Sequence, residues 1–166
     1  MHIEVSVDEA VRLAGALQPL PGMVLAVRPA GDGDAVEIDL DPALLPGASG
    51  LLRLGAALAG RVTVTARFLG FSGGDASFAL AAQARGLTVE RLLNHLTGTI
   101  AAALAPQGLP PDVVELQPGA DGPVLVAHAQ AAADARATGV VVQAVELAGG
   151  AVRVDLAVRP GAALLP

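Results

Sequence analysis

Residues 35–41 read Ala-Val-Glu-Ile-Asp-Leu-Asp. Val36, Ile38 and Leu40 alternate with Glu37, Asp39 and Asp41. A period of two sends neighbouring side chains to opposite faces, so this stretch predicts a strand with one dry and one wet face. The same alternation recurs downstream. Val62, Val64, Ala66 and Phe68 oppose Thr63, Thr65 and Arg67, and Val152, Val154, Leu156 and Val158 oppose Arg153 and Asp155. The chain is therefore expected to be dominated by antiparallel sheet.

Glycine-rich turns break these strands into hairpins. Residues 23–27 and 35–41 flank Gly31-Asp32-Gly33-Asp34, and residues 61–69 and 76–82 flank Ser72-Gly73-Gly74-Asp75. Residues 113–117 and 124–130 flank Asp121-Gly122, and residues 139–147 and 151–158 flank Gly149-Gly150. Glycine accepts positive φ, which makes such turns strong hairpin signals. Residues 2–6 predict a ninth strand.

Two helices are expected ahead of hairpins. The first begins at Ser6-Val7-Asp8-Glu9, with an apolar stripe at Val7, Ala10, Val11, Ala14 and Leu17. The second begins at Thr88-Val89-Glu90-Arg91, with a stripe at Val89, Leu92, Leu93, Leu96, Ile100 and Leu104. Both follow helical spacing. Ser6 and Thr88 suit N-caps, and Ser6 with Glu9 fits a capping box. Prolines end both stretches, at Pro19 and Pro21 and at Pro110 and Pro111. A short helix or crossover is expected within residues 131–138. This order predicts an α+β fold built by internal duplication, helix-hairpin-hairpin twice, with the helices on the apolar sheet face. The 166 residues then form one domain, with repeat halves at about 1–87 and 88–166.

Composition excludes several functions. With no cysteine, disulfides, zinc–thiolate sites and cysteine nucleophiles are absent. All ten basic residues are arginine, net charge is −6, and there is no tyrosine or tryptophan. Such a chain lacks the footprint of a nucleic-acid partner. No apolar run is long enough for a transmembrane helix. The acidic opening Met1-His2-Ile3-Glu4 is no secretory signal, so the chain is expected in the cytoplasm as written, or at the cell envelope if a leader is removed. Alanine, glycine, valine, leucine, proline and arginine dominate, the signature of a GC-rich bacterial genome.

Candidate chemistry is sparse. Asp32, Asp34, Glu37, Asp39 and Asp41 form the densest acidic cluster. The spacing is not that of a calcium loop, and Glu37, Asp39 and Asp41 are expected on a solvated face, so no metal is assigned. His2 is expected to fray, His95 to lie on the polar side of the second helix, and His128, which shares the parity of Val124 and Val126, to face inward and be hydrogen-bonded in the core. Ser49 lacks the glycine two places on that a nucleophile elbow needs, and Ser72 lies in a hairpin turn. Without lysine, phosphate loops and Schiff bases are impossible. No catalytic residue and no cofactor is assigned, and the chain is expected not to be an enzyme.

The informative feature is apolar excess: 53% hydrophobic residues but only 2% aromatic, with mean hydropathy +0.59. Dense packing, a subunit interface and an apolar cavity each explain such an excess. The favoured function is binding of a lipid or other apolar small molecule. Leu92, Leu93, Leu96, Ile100 and Leu104 would line one wall and the dry strand faces the other. Phe68, Phe71 and Phe78 would sit at the mouth or cap the core. The alternative is a structural or scaffold protein that forms a homo-oligomer through apolar surface.

Half the chain resembles bacterial relatives of the tubular lipid-binding superfamily. The shared order is a hairpin at residues 61–80, an amphipathic helix at 88–105, the break Leu109-Pro110-Pro111-Asp112-Val113-Val114, and a hairpin through Asp121-Gly122-Pro123-Val124-Leu125-Val126. The resemblance implies a cradle of curved sheet and helix around acyl chains. It implies no specific binding residue.

Overall fold

The computed structural model describes residues 1–17, 19–44, 60–83, 98 and 108–165. Strand β1 (His2–Ser6) runs directly into helix α1 (Val7–Leu17). Two hairpins follow: β2 (Val24–Ala30) with β3 (Ala35–Leu40), and β4 (Val62–Ser72) with β5 (Asp75–Gln83). The third hairpin is β6 (Val114–Gly119) with β7 (Gly122–Ala127). Helix α2 (Ala129–Asp134) leads to the last, β8 (Ala137–Ala148) with β9 (Ala151–Leu164). All four expected hairpins and the strand at residues 2–6 are present.

The capping box forms as the sequence implies. The Ser6 hydroxyl donates to Glu9 Oε2 at 2.7 Å, the Ser6 amide donates to the same oxygen at 3.1 Å, and the Glu9 amide donates to Ser6 Oγ at 3.2 Å. These bonds satisfy donors that a helix start leaves orphaned. They also hold the Glu9 carboxyl below its usual range, chiefly through the Ser6 hydroxyl.

Among the described residues the strands form two sheets, one of six strands in the order β2-β3-β4-β5-β7-β6, the other of three in the order β1-β9-β8. Every pairing is antiparallel. This order corrects the expected duplication. A repeat would set β8–β9 beside β6–β7 as β4–β5 sits beside β2–β3. Instead β7 takes the edge of β5, and β9 pairs with β1 in register from His2↔Asp155 to Ser6↔Ala151. The six residues of α2 carry the chain off one sheet and onto the other. The helices are corrected too. Among the described residues α1 packs against β1 and β2, and α2 against β8, with a minor contact to β5, so helices layered on the apolar face of the large sheet are not evident. The helix expected at residues 88–105 lies outside the described residues, Gly98 apart.

Register decides which side chains share a face. The pairs Ile38↔Val64, Val64↔Ala82, Ala66↔Leu80, Phe68↔Phe78, Phe78↔Leu125 and Leu116↔Leu125 all lie on one side of the large sheet. The core sits at one end of that face, where Met23, Leu40, Val62 and Val64 are buried. Val24, Ile38, Leu80, Ala82 and Leu116 pack against it. The contact from Leu116 is diagnostic of shape. Strands lie about 4.8 Å apart, so β6 would stand about 14 Å from β4 in a flat sheet. Apolar contact needs about 4.5 Å. The sheet therefore curls, with its apolar face concave.

Backbone contacts join the sheets at two turns. The Gly150 amide, in the β8–β9 turn, donates to the Gly33 carbonyl at 3.0 Å; the Gly150 carbonyl accepts from the Val7 amide at 2.9 Å, which ties the same turn to the end of β1. Gly33 has φ +84°, and a Cβ there would come within 2.2 Å of the Gly150 nitrogen. Only glycine fits that junction. The Gln130 amide donates to the Gly74 carbonyl at 3.0 Å.

Candidate functional site

The concave face carries the two phenylalanines expected at a ligand site. Phe68 and Phe78 are cross-strand partners, with ring centroids 5.5 Å apart and planes tilted by 60°. That is a favourable aromatic geometry. Both are half-buried, unlike the fully buried Val62. A bulge between Phe68 and Gly70 shifts the register, so Phe71 faces Ala76. Leu92, Leu93, Leu96, Ile100 and Leu104, the expected second wall, lie outside the described residues. So do His95 and Ser49.

The opposite face of the large sheet holds the charges. Asp39, expected in solvent, is buried with 4% of its surface exposed. Arg28 Nη1 donates to its Oδ2 at 2.7 Å, and the Thr63 hydroxyl to its Oδ1 at 2.7 Å. Arg28 also pairs with Glu37 at 2.8 Å, and Arg61 stands 3.7 Å from Asp39. A buried carboxylate survives only with such partners. Arg28 first, then Thr63, holds the Asp39 carboxyl below its usual range. Asp41 turns instead to the backbone, accepting from the Ala43 amide at 2.9 Å. The solvated row of three acids is thus corrected: Arg28 lies opposite Glu37 across the hairpin and draws Asp39 into a paired cluster.

His128, expected in the core, lies instead on the same polar side, just after β7, with its side chain 27% exposed. Its Nδ1 is 2.8 Å from Asp75 Oδ1, and its Nε2 is 3.6 Å from Glu115 Oε2. Its amide donates to the Val113 carbonyl at 2.8 Å. Asp75 chiefly, with Glu115 adding, raises the imidazole pKa against a smaller opposing effect of burial. Both ring nitrogens face carboxylates, an arrangement that favours the charged imidazolium and lets His128 bridge β5 and β6 just ahead of α2. Asp75 reads in the sequence as a turn residue and Glu115 as a strand residue; only strand register brings them to the histidine.

His2 is not frayed. Its Nδ1 is 2.7 Å from Asp155 Oδ1, and the N-terminal ammonium donates to the Leu156 carbonyl at 2.6 Å. Asp155, chiefly by hydrogen bonding, raises its pKa. Beside it Arg153 bridges Glu4 at 3.3 Å and Glu146 at 3.5 Å across all three strands of the small sheet. Among the described residues no group of three His, Asp or Glu is placed to hold a metal ion, and no helix is long and apolar enough to cross a membrane. No protein-family model, no curated protein and no solved structure matches the chain.

Proposed function

We propose that the chain is a non-enzymatic binding domain that takes a lipid or other apolar small molecule against the concave face of its six-stranded sheet. The supporting observation is the reach of Leu116, from the edge strand β6, to the cluster around Val62 and Val64. A curled, aliphatic surface of this kind gains about 25 cal/mol for each Å² of apolar area removed from water. Phe68 and Phe78 lie midway along it. The stripe Leu92, Leu93, Leu96, Ile100 and Leu104 is assigned to the opposing wall on its helical periodicity alone. Such a carrier suits either compartment, cytoplasm or cell envelope.

Native mass spectrometry of freshly purified protein, followed by solvent extraction, tests the proposal. A co-purifying amphiphile at fixed stoichiometry is expected, and its occupancy falls in Phe78→Asp. Protein that emerges free of ligand and takes up no added fatty acid or phospholipid overturns it.

One observation favours self-association as a second function. Beyond Leu156, β9 is paired by β8 alone among the described residues, and Val158 and Leu164 there are 55% and 86% exposed. A ligand-free oligomer of fixed size in the same spectra is the expected signature.

A further inference from the structure

A cavity of about 500 Å³ opens between the β4–β5 turn, α2 and the β8–β9 hairpin. Clefts of this volume hold small molecules. It lies at the joint of the two sheets, away from the concave apolar face, and its floor includes Gly73 and Gly74. A side chain at Gly74 would bring its Cβ within 2.8 Å of Gln130 Cβ, so the space there depends on glycine.

The wall is preorganised by Gln130. Its Nε2 donates to Asp134 Oδ1 at 2.7 Å and to the Val140 carbonyl at 3.0 Å, while its Oε1 accepts from the Val142 amide at 2.8 Å. Both carboxamide hydrogens are thereby used, so Gln130 has no side-chain donor left for a ligand. The charges it leaves are different. Asp134 and Arg159 both line the cavity. The arginine ion pairs among the described residues belong to Arg28, Arg61 and Arg153, so Arg159 pairs neither with Asp134 nor with another acid there. The Asp134 carboxylate keeps Oδ2 beyond the bond its Oδ1 makes to Gln130.

We propose that this cavity is a binding site for a small zwitterion of the α-amino-acid class. Its carboxylate meets the Arg159 guanidinium, its ammonium meets Asp134, and its side chain lies against Val141. A guanidinium binds carboxylate through paired, charge-assisted hydrogen bonds. A simple anion would be opposed by Asp134, and a simple cation by Arg159. A ligand carrying both charges meets both groups. The site is independent of the lipid-binding proposal, and each fails or stands alone.

The test is a ¹⁵N–¹H NMR titration of the full chain with L-leucine, 4-methylpentanoate and isopentylamine. Leucine is expected to give saturable shifts at the Gly73, Gly74 and Gly139 amides. Either single-charge analogue should bind about tenfold more weakly, the scale of one lost charge-assisted bond. Arg159→Gln should abolish the advantage of leucine over the amine. Asp134→Asn, which keeps an oxygen for Gln130, should abolish its advantage over the carboxylate. Absence of saturable shifts at about 10 mM leucine, well above a millimolar constant, overturns the proposal. So does equal binding of leucine and 4-methylpentanoate, or leucine binding unchanged in Arg159→Gln.

Discussion

At the scale of single residues, His128 makes the clearest pH-dependent prediction. Its folded-state pKa is raised by Asp75, so its contribution to stability is full below the ordinary imidazole value and is lost as pH rises through the raised one. The urea midpoint of His128→Gln should therefore fall furthest behind wild type near about pH 5.5, where imidazole is protonated and carboxylates are ionised. The gap should close by about pH 8.5. A gap that widens with pH would mean that neutral His128 is the stabilising form. Strand parity with Val126 pointed His128 into the core, but β7 ends at Ala127 and the ring is only part-buried, set between two carboxylates on the polar side. Parity said nothing of Asp75, which is 53 residues away. Asp39 shows the converse failure. Alternation put it on the polar side, and so it is, but that side is covered there by Arg28 and Thr63.

At the scale of elements, Gln130 protects an edge. In a parallel pair, one residue donates to the carbonyl before its neighbour and accepts from the amide after it. The Gln130 carboxamide does both to β8, on either side of Val141. It stands in for one residue of a missing strand. Exposed edges recruit other chains, so Gln130→Ala should lose about 1–2 kcal/mol and show concentration-dependent association by size-exclusion chromatography. A variant that stays monomeric at every concentration would show that the edge is guarded by something else. The hairpins themselves were legible because alternation and glycine turns are short-range signals. Strand order was not. Nothing local to β7 says that it will pair with β5, or to β9 that its partner is β1.

At the scale of the whole molecule, the turn at Gly33 locks the two sheets together. Gly33→Ala meets backbone atoms of Gly149 and Gly150, which cannot move aside without breaking the junction. It should cost about 3 kcal/mol. Gly149→Ala, also at positive φ but with open space around it, should cost about 1 kcal/mol. Thermal denaturation of the two variants checks the contrast; equal losses would reduce the junction to backbone strain alone. The duplicated appearance of the sequence comes from repeated hairpins of similar length. It dissolves at this scale because the fourth hairpin pairs with residues 2–6 rather than with the third.

The pairing of β1 with β9 also sets an order of events during synthesis. A ribosome releases residues 2–6 well before their partners, residues 151–155. Until then β1 has no strand to join, while hairpins β2–β3 and β4–β5 close on near neighbours. Pulse-labelled hydrogen exchange during refolding should therefore find the β3–β4 amides protected before those of β1, and β1 protected together with β9. Residues 2–6, made before their partners, are among the last to reach their place.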